Sequence, residues 1–271
     1  MKLSIVLVVY KKNAKDLPIY PLLNELADLG ISTLIYDNSP FTQEESFNQL
    51  PVSYHHDPRN LGVAVAYNFA LEKLLATNED RLGLLLLDHD TQISLSYVKE
   101  LLAADFGPEV GAIVPQIFAG QKQISPLKAD RYIAQGFTGL PAGEYSEPFT
   151  GINSGACLNV DFLKVIGGFN NDFPLDFLDH WLFFEMGKRG YTLRVLPEII
   201  QHDLSVLDYT KVSHQRFESI LQGEQLFYQR YNTQFSNNHK KQLLKRTVKL
   251  FVKEKDRYFW KRTWQAYRQF K

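Results

Sequence analysis

The chain has 271 residues, 45% of them hydrophobic and 22% charged, with equal numbers of acidic and basic residues. This composition is typical of one large globular domain, or of a domain with an appendage. The single cysteine, Cys157, excludes an internal disulfide framework and suits a reducing compartment. No uncharged apolar stretch approaches the ~18 residues that span a bilayer. The short apolar run at residues 3–9 lacks a cleavage site, so no signal peptide is expected.

Strands alternate with helices up to about residue 200. The apolar run "SIVLVV" at residues 4–9 predicts a strand that is buried on both faces. Further strands are predicted at 32–39, 51–57, 82–88, 110–118, the start of 153–169, and 192–200, and helices at 16–30, 62–76, 95–104 and 177–190. The alternation predicts an α/β fold with a mostly parallel central sheet flanked by helices.

Two segments do not follow this alternation. Residues 119–150 contain Gly, Pro, Ser and Thr with weak periodicity and predict a long loop, which in a compact domain is usually functional. After about residue 208 the chain is polar and helical in pattern. We therefore predict a domain at 1–207 and a helical, basic C-terminal extension at 208–271.

Two aspartates, Asp88 and Asp90, directly follow four leucines in the segment "LLLLDHD". Because ligands of open α/β sheets bind beyond the carboxyl ends of the strands, these carboxylates are expected at a ligand site. Carboxylates at this spacing can share a divalent cation, and Mn²⁺ and Mg²⁺ prefer such oxygen ligands together with phosphate oxygens. A loop with two solvated aspartates is the alternative interpretation.

A strand that ends in D-x-D is typical of two families. In haloacid-dehalogenase-like phosphatases the motif is D-x-D-x-T, and its strand usually opens the domain. Here Thr91 comes one residue early, and about eighty residues of α/β pattern precede the strand. The resemblance to this family is therefore the weaker one.

The chain resembles family 2 glycosyltransferases of the GT-A fold over residues 1 to about 205. The motifs of that family occur in order: "LVVYKKN", "IYDNSP", "RNLGVAVAYN", the D-x-D, "NSGACLN", "GGF" and "LDHWLFFEMGKRGY". Each motif is weak alone, and their order and spacing carry the match. The acidic cluster and the "GGF" segment look most like those of bacterial rhamnosyltransferases.

The resemblance implies a nucleotide-sugar site at the strand ends. Tyr10 would pack on the base, and Asp37 would accept its N–H group. Arg59 or Asn60 would meet the pyrophosphate, which attracts arginine. A rim aromatic, a simple turn and a surface loop are the respective alternatives. The complete set of implied contacts is Val9, Tyr10, Asp37, Arg59, Asn60, Asp88, His89, Asn153 and Ser154.

The resemblance also implies a metal and a general base. Mn²⁺ or Mg²⁺ would be held by Asp88, Asp90 and His202 and would neutralise the pyrophosphate. The base that deprotonates the acceptor hydroxyl would lie in the acidic cluster before a helix, with Asp179 as first choice and Asp176 as competitor. The acidic residue that commonly precedes the base in this family is missing, and either aspartate can also cap the helix.

The implied activity is inverting transfer of a sugar from a nucleotide donor to a cell-surface glycan or lipid-linked acceptor. The resemblance to rhamnosyltransferases implies dTDP-rhamnose as the donor, and a UDP-hexose is the alternative. A catalytically inactive, membrane-associated scaffold that still binds nucleotide is the alternative from a different functional class.

The C-terminal segment 240–271 carries twelve basic residues against Glu254 and Asp256, so its net charge is +10 and that of the remainder is −10. Its cations and aromatic residues interleave at roughly helical spacing, which is typical of helices on anionic membranes. We expect a cytoplasmic protein, peripheral on the inner face of the membrane. Packing on the acidic body or a homodimer contact are the alternatives, and no nucleic-acid partner is expected.

Overall fold

The computed structural model describes residues 2–77, 82–133, 136–146, 148–201 and 212–270. The strands are β1 (Lys2–Val9), β2 (Ser32–Asp37), β3 (Ser53–His56), β4 (Leu82–Asp88), β5 (Val110–Ala119), β6 (Lys122–Ser125), β7 (Leu127–Lys128), β8 (Thr138–Gly139), β9 (Gly143–Tyr145), β10 (Phe149–Thr150), β11 (Cys157–Asn159) and β12 (Thr192–Gln201). The helices are α1 (Leu23–Asp28), α2 (Val63–Leu75), α3 (Leu95–Ala103), α4 (Val160–Ile166), α5 (Leu178–Lys188), α6 (His214–Leu226), α7 (Ser236–Lys253) and α8 (Arg257–Gln269).

The central sheet has nine strands in the order β3-β2-β1-β4-β11-β5-β12-β9, with β6 on β5. The strands β3, β2, β1 and β4 pair in parallel, as do β5 and β12, whereas β11, β9 and β6 pair antiparallel. The predicted α/β fold with a mostly parallel sheet is thus confirmed. The strand order reverses between β1 and β4, which is where ligands of such sheets bind.

The leucine run of β4 is buried on both faces of the sheet. Leu84 and Leu86 join the core on one side, and Leu85 and Leu87 join the core on the other. Each of the four is at most 1% exposed. A strand covered on both sides requires such an uninterrupted apolar run, and the run stops at the site-facing end of the strand.

Two predicted elements are wrong. The helix expected at 16–30 is confined to α1, because Pro18 and Pro21 fall in a stretch of turns and short 3₁₀ segments that precedes it. The loop expected at 119–150 contains β6 to β10, of which β7, β8 and β10 form a small antiparallel sheet. Strands of two to four residues are too short to show an alternating pattern.

The C-terminal helices pack on the body of the protein. Phe217 of α6, Leu243 and Leu250 of α7, and Phe259 of α8 are buried in the same core as β4. The alternative that the basic tail packs on the body therefore holds for one face of α7 and for one face of α8. The predicted boundary at residue 207 lies outside the described residues. None of the helices in the described ranges is long and apolar enough to cross a membrane.

A buried ion pair connects α6 with α7. Arg246 donates two hydrogen bonds of 2.7 Å to the carboxylate of Glu224. Burial is the largest single influence and raises the pKa of Glu224, but the charge and hydrogen bonds of Arg246, together with His239 and His180, lower the pKa by more and leave it below its ordinary value. Beside this pair the Tyr132 hydroxyl lies 3.0 Å from Nδ1 of His239, whose pKa burial lowers to about 4.

We predict that Arg246→Met lowers the free energy of unfolding by roughly 3–5 kcal/mol, because it leaves the Glu224 carboxyl buried without its main charge partner. Urea unfolding measures the change. The matched control is Lys164→Met, which removes an exposed ion pair of 2.9 Å with Asp161 and should cost less than about 1 kcal/mol. Equal, small losses in both variants would contradict the packing of α6 against α7.

Candidate active site

A cleft of about 690 Å³ opens at the carboxyl ends of β1, β2 and β4, at the switch point of the sheet. Such a volume is in the range of small-molecule sites. The residues expected at the nucleotide sugar or metal that line it are Val9, Tyr10, Asn60, Asp88, His89 and Asp90. The structure therefore gathers residues that are far apart in the sequence into one site.

The end of β4 is held by hydroxyl groups. The backbone N–H of Asp88 donates to Oγ1 of Thr91 at 3.1 Å and to Oγ of Ser154 at 3.2 Å, and these two hydroxyls also bond to each other. The Tyr67 hydroxyl lies 3.5 Å from Oδ1 of Asp88. Ser154 and its neighbour Asn153 are buried and are not part of the cleft wall. Ser154 thus positions Asp88 from behind the cleft.

The carboxylates of Asp88 and Asp90 both belong to the cleft wall, the first half-buried and the second exposed. Within the described ranges no three His, Cys, Asp or Glu side chains are grouped so that they could hold a metal. Two hard carboxylates fit Mn²⁺ or Mg²⁺ when phosphate oxygens of a ligand complete the coordination. His202, the expected third ligand, lies outside the described residues.

Asp37 at the end of β2 is fully buried, and its neighbour Asn38 reaches the cleft instead. The Asp37 carboxylate accepts the N–H of Ser39 at 2.8 Å, the N–H of Gln43 at 3.2 Å, and the hydroxyl of Tyr54. Burial, together with Asp37, raises the pKa of Tyr54 to about 12. Asp37 therefore holds the turn after β2.

The side chain of Asn38 was not expected at the site. Its Oδ1 atom is buried and has no hydrogen-bond partner in the part of the chain that the structure describes. An unpaired buried carbonyl oxygen is unfavourable, and a donor on a bound ligand would satisfy it. Asn38 is thus better placed than Asp37 to receive an N–H group in the cleft.

Arg59 is tied to a neighbouring carboxylate and does not line the cleft. Its Nε and Nη2 atoms each donate to Asp57 at 2.7 Å, and this pair holds the pKa of Asp57 well below its usual range. The Tyr36 hydroxyl donates to the same carboxylate at 2.8 Å. The arrangement fixes the loop that carries Asn60 into the cleft.

Three non-glycine residues in the described ranges have left-handed backbone conformations, and all border the site. Lys11, with φ of 53°, follows Tyr10, and its ammonium lies 4.9 Å from the centroid of the Tyr10 ring. Asn60 has φ of 50°, and Phe177, with φ of 67°, directly precedes α5. Such strained conformations cluster at functional sites, so their grouping here supports the cleft as the functional site.

The loop before α5 is pressed against the start of α2. A Cβ atom on Gly62, whose φ is 96°, would lie 2.2 Å from the carbonyl oxygen of Pro174, so only glycine fits there. The same oxygen accepts the N–H of Ala64 at 3.2 Å. Asn68 of α2 exchanges two hydrogen bonds of 2.8 Å with the backbone of Phe169. These contacts bring the acidic cluster to the cleft.

The two candidate bases have different surroundings. Asp176 forms an ion pair of 2.9 Å with Arg216 of α6, and burial raises its pKa against the opposing effects of Ser219 and Arg216. Asp179, in the first turn of α5, accepts the N–H of His180 at 2.8 Å. Neither lines the cleft directly; Asp176 follows the part of its wall formed by residues 174–175, and Asp179 lies three residues further along the chain.

The buried hydroxyl of Tyr67 connects the two acidic motifs. Burial raises the pKa of Tyr67 well above its ordinary value, and the charges of Asp88 and Asp179 raise it further. The carboxylates of Asp88 and Asp179 both influence the Tyr67 hydroxyl. The start of α5 therefore lies near the end of β4. Arg216 and Ser219 of α6 complete the wall, and no local motif in the sequence indicates their role.

Comparison with solved structures identifies the architecture, whereas no protein-family model and no curated protein sequence matches the chain. The structure of S. aureus TarS 1-349 in complex with UDP-GlcNAc is 13% identical, with a TM-score of 0.54 over 98% of this chain and 80% of that one. Mycobacterium tuberculosis glucosyl-3-phosphoglycerate synthase in complex with Mn²⁺, UDP and phosphoglyceric acid is 14% identical, with a TM-score of 0.52 over 82% and 78%. The chain therefore has the GT-A fold of these glycosyltransferases.

Proposed function

We propose that the chain is a glycosyltransferase that takes a sugar from a nucleotide-sugar donor. The cleft carries this proposal, because it combines an aromatic side chain, amide groups and two carboxylates at the switch point of a parallel sheet. The likeness to a TarS structure that contains UDP-GlcNAc supports the same substrate class.

A UDP-linked sugar is the donor that we favour. The two similar structures were determined with UDP-GlcNAc and with UDP. The dTDP-rhamnose implied by the resemblance to rhamnosyltransferases is the second candidate. In either case Tyr10 packs on the base, Asn38 accepts a base N–H through its unpaired Oδ1, and Asn60 lies beside the pyrophosphate. Val9 and His89 are the remaining cleft residues that we expect to contact the nucleotide sugar.

Asp88 and Asp90 would hold Mn²⁺ or Mg²⁺, with His202 as the proposed third ligand. When bound, the ion would supply Lewis-acid neutralisation of the negative charge that develops on the diphosphate. The protein contributes the position of the carboxylates, because Thr91 and Ser154 hold the backbone of Asp88 in place.

Asp179 is the base that we propose for the transfer step. It takes the proton of the acceptor hydroxyl, whose oxygen attacks the anomeric carbon from the face opposite the nucleotide. The new C–O bond forms as the C–O bond to the diphosphate breaks, so the nucleoside diphosphate leaves with the bonding electrons and the configuration inverts. Asp176 is less suitable, because Arg216 occupies one of its oxygens.

The acceptor that we propose is a cell-surface glycan or lipid-linked glycan reached from the membrane. The exposed side of α7 supports this location, because it presents Leu244, Val248, Phe251 and Val252, which are 39, 58, 53 and 74% exposed. We call these four apolar residues the α7 face. Exposed lysines at 241, 245 and 249 border it. Apolar residues flanked by cations match an anionic lipid surface, and they would place the enzyme on the cytoplasmic side of a membrane.

The donor site can be tested by thermal unfolding with UDP and Mn²⁺. We predict that the pair raises the midpoint of the wild-type chain and that EDTA removes the effect, because a ligand at 100 times its Kd stabilises the folded state by about 2.7 kcal/mol. Asp88→Asn should lose most of the shift, whereas Asp161→Asn, an exposed carboxylate on α4, should keep it. An undiminished shift in Asp88→Asn would rule out this metal site.

The base assignment can be tested by the rate of UDP release with a panel of glycan and lipid-linked acceptors. We predict that Asp179→Asn lowers the rate by roughly 10²–10⁴-fold while UDP and Mn²⁺ still stabilise the protein, because only proton removal is lost. Asp176→Asn should mainly lower stability, since it weakens the link to Arg216. If Asp176→Asn lost the activity and Asp179→Asn kept it, Asp176 would be the base. If the wild-type chain bound UDP and Mn²⁺ but released no UDP with any acceptor, it would be an inactive scaffold.

The membrane contact can be tested by co-sedimentation with phosphatidylglycerol vesicles. We predict that the double variant Val248→Asp, Val252→Asp loses most of its binding, because two carboxylates repel the anionic surface. Phe41→Asp is the control, since Phe41 is 81% exposed outside the α7 face. Unchanged binding by the double variant would contradict the proposal. Conversion of a wild-type dimer into a monomer by the same variant would assign the α7 face to a homodimer contact.

A further inference from the structure

A second cavity, of about 300 Å³, lies between α5, the small strands of residues 127–150 and the turn after α6. Aromatic rings dominate its described lining, and the main ones are Phe149, Phe183, Phe184, Phe227, Tyr228 and Phe235. We call it the aromatic cavity. Its volume lies at the lower end of the range of ligand pockets.

The aromatic cavity adjoins the proposed base through α5. His180, Phe183, Phe184 and Gly187 line the cavity at the i, i+3, i+4 and i+7 positions of this helix, which form one face. Asp179 precedes His180 by one residue and so lies about 100° around the same helix. The face of α5 that lines the cavity is therefore next to the face that carries the group that would deprotonate an acceptor.

The wall opposite α5 is held by an unusual piece of helix. Residues 227–231, directly after α6, form a π-helical turn, a rare feature that is frequent at functional sites. It brings the ring of Phe227 to 5.9 Å from His180 and 5.7 Å from Phe184, measured between centroids. The ring of Tyr228 stacks on the buried His239 at 4.7 Å. These contacts with the C-terminal helices hold the walls of the cavity in place without a ligand.

Polar groups of the aromatic cavity lie at its margins. Lys188 and Arg131 contribute to the lining, and their side chains are 61 and 50% exposed. At the α5 side, Oγ1 of Thr150 lies 3.3 Å from Nδ1 of His180. Both cations are paired with carboxylates, Lys188 with Glu185 at 3.5 Å and Arg131 with Asp130 at 3.0 Å. An apolar interior with charged and polar groups at the exposed margin matches a molecule that has an apolar group and a polar head.

We infer that the aromatic cavity binds the apolar part of the acceptor, an alkyl or aryl group, and thereby presents the acceptor hydroxyl to Asp179. This inference rests on the proposed glycosyltransferase function. It narrows the acceptor to an amphiphilic molecule, because an alkyl or aryl group in the cavity removes the most apolar surface from water. The donor cleft and the aromatic cavity then serve the two substrates separately.

Gly187 provides a direct test of the cavity. A Cβ atom at this helical position meets nothing within 4 Å, so a side chain can be added there without disturbing the helix packing at its first carbon. The probe is 1-anilinonaphthalene-8-sulfonate, which has apolar rings and an anionic group. We expect Gly187→Leu to weaken its saturable binding at least tenfold and Gly187→Ala to have an intermediate effect. Val165→Leu, on the exposed side of α4, should bind as the wild type does.

The acceptor class is tested by displacing the same probe from the wild-type chain. Octyl β-glucoside, below its micellar concentration, should displace the probe, whereas methyl β-glucoside should not, because only the octyl chain can fill the cavity. Wild-type affinity of Gly187→Leu for the probe, or equal behaviour of the two glucosides, would overturn the inference. Stabilisation by UDP and Mn²⁺ is measured on the same samples. If that effect is absent from the wild-type chain, the donor site fails, and the acceptor role fails with it.

Discussion

The backbone N–H of Asp88 lies where the sheet ends and the cleft begins. Up to Leu87 the strand is buried on both faces, and beyond it the hydroxyls of Thr91 and Ser154 take the place of a neighbouring strand as hydrogen-bond partners. A buried N–H group must find a partner, so these two side chains allow the strand to stop there. The carboxylates that follow are thereby held at the edge of a rigid sheet.

The rest of the site is built against this fixed edge. Gly62 lets the loop of Pro174 approach α2 closely, and this approach brings the acidic cluster beside the end of β4. Arg216 of α6 then binds Asp176 from the other side. The C-terminal helices are thus part of the site as well as a cover for the core. Their opposite face, on α7, is exposed.

The sequence predicted those parts of the fold that depend on local pattern. The leucine run identified β4, and the ordered motifs indicated Tyr10, Asn60, Asp88 and Asp90, all of which line the cleft. The short strands between residues 119 and 150 gave no periodic signal, and prolines shortened the first helix. The roles of Asn38 and Arg216 follow from tertiary packing, since one depends on the buried turn after β2 and the other on α6. Asn38 belongs to the motif "IYDNSP", but the motif alone does not show that Asn38, rather than Asp37, reaches the cleft, and no local motif indicates Arg216.

We propose above all that a nucleotide and a divalent cation share the cleft between β1 and β4. Anomalous diffraction from crystals grown with UDP and Mn²⁺ tests it most directly, because manganese can be located independently of the protein. We expect an anomalous peak beside Asp88 and Asp90, with the diphosphate in the same cleft and the uracil between Tyr10 and Asn38. Manganese or UDP bound away from these residues would contradict it.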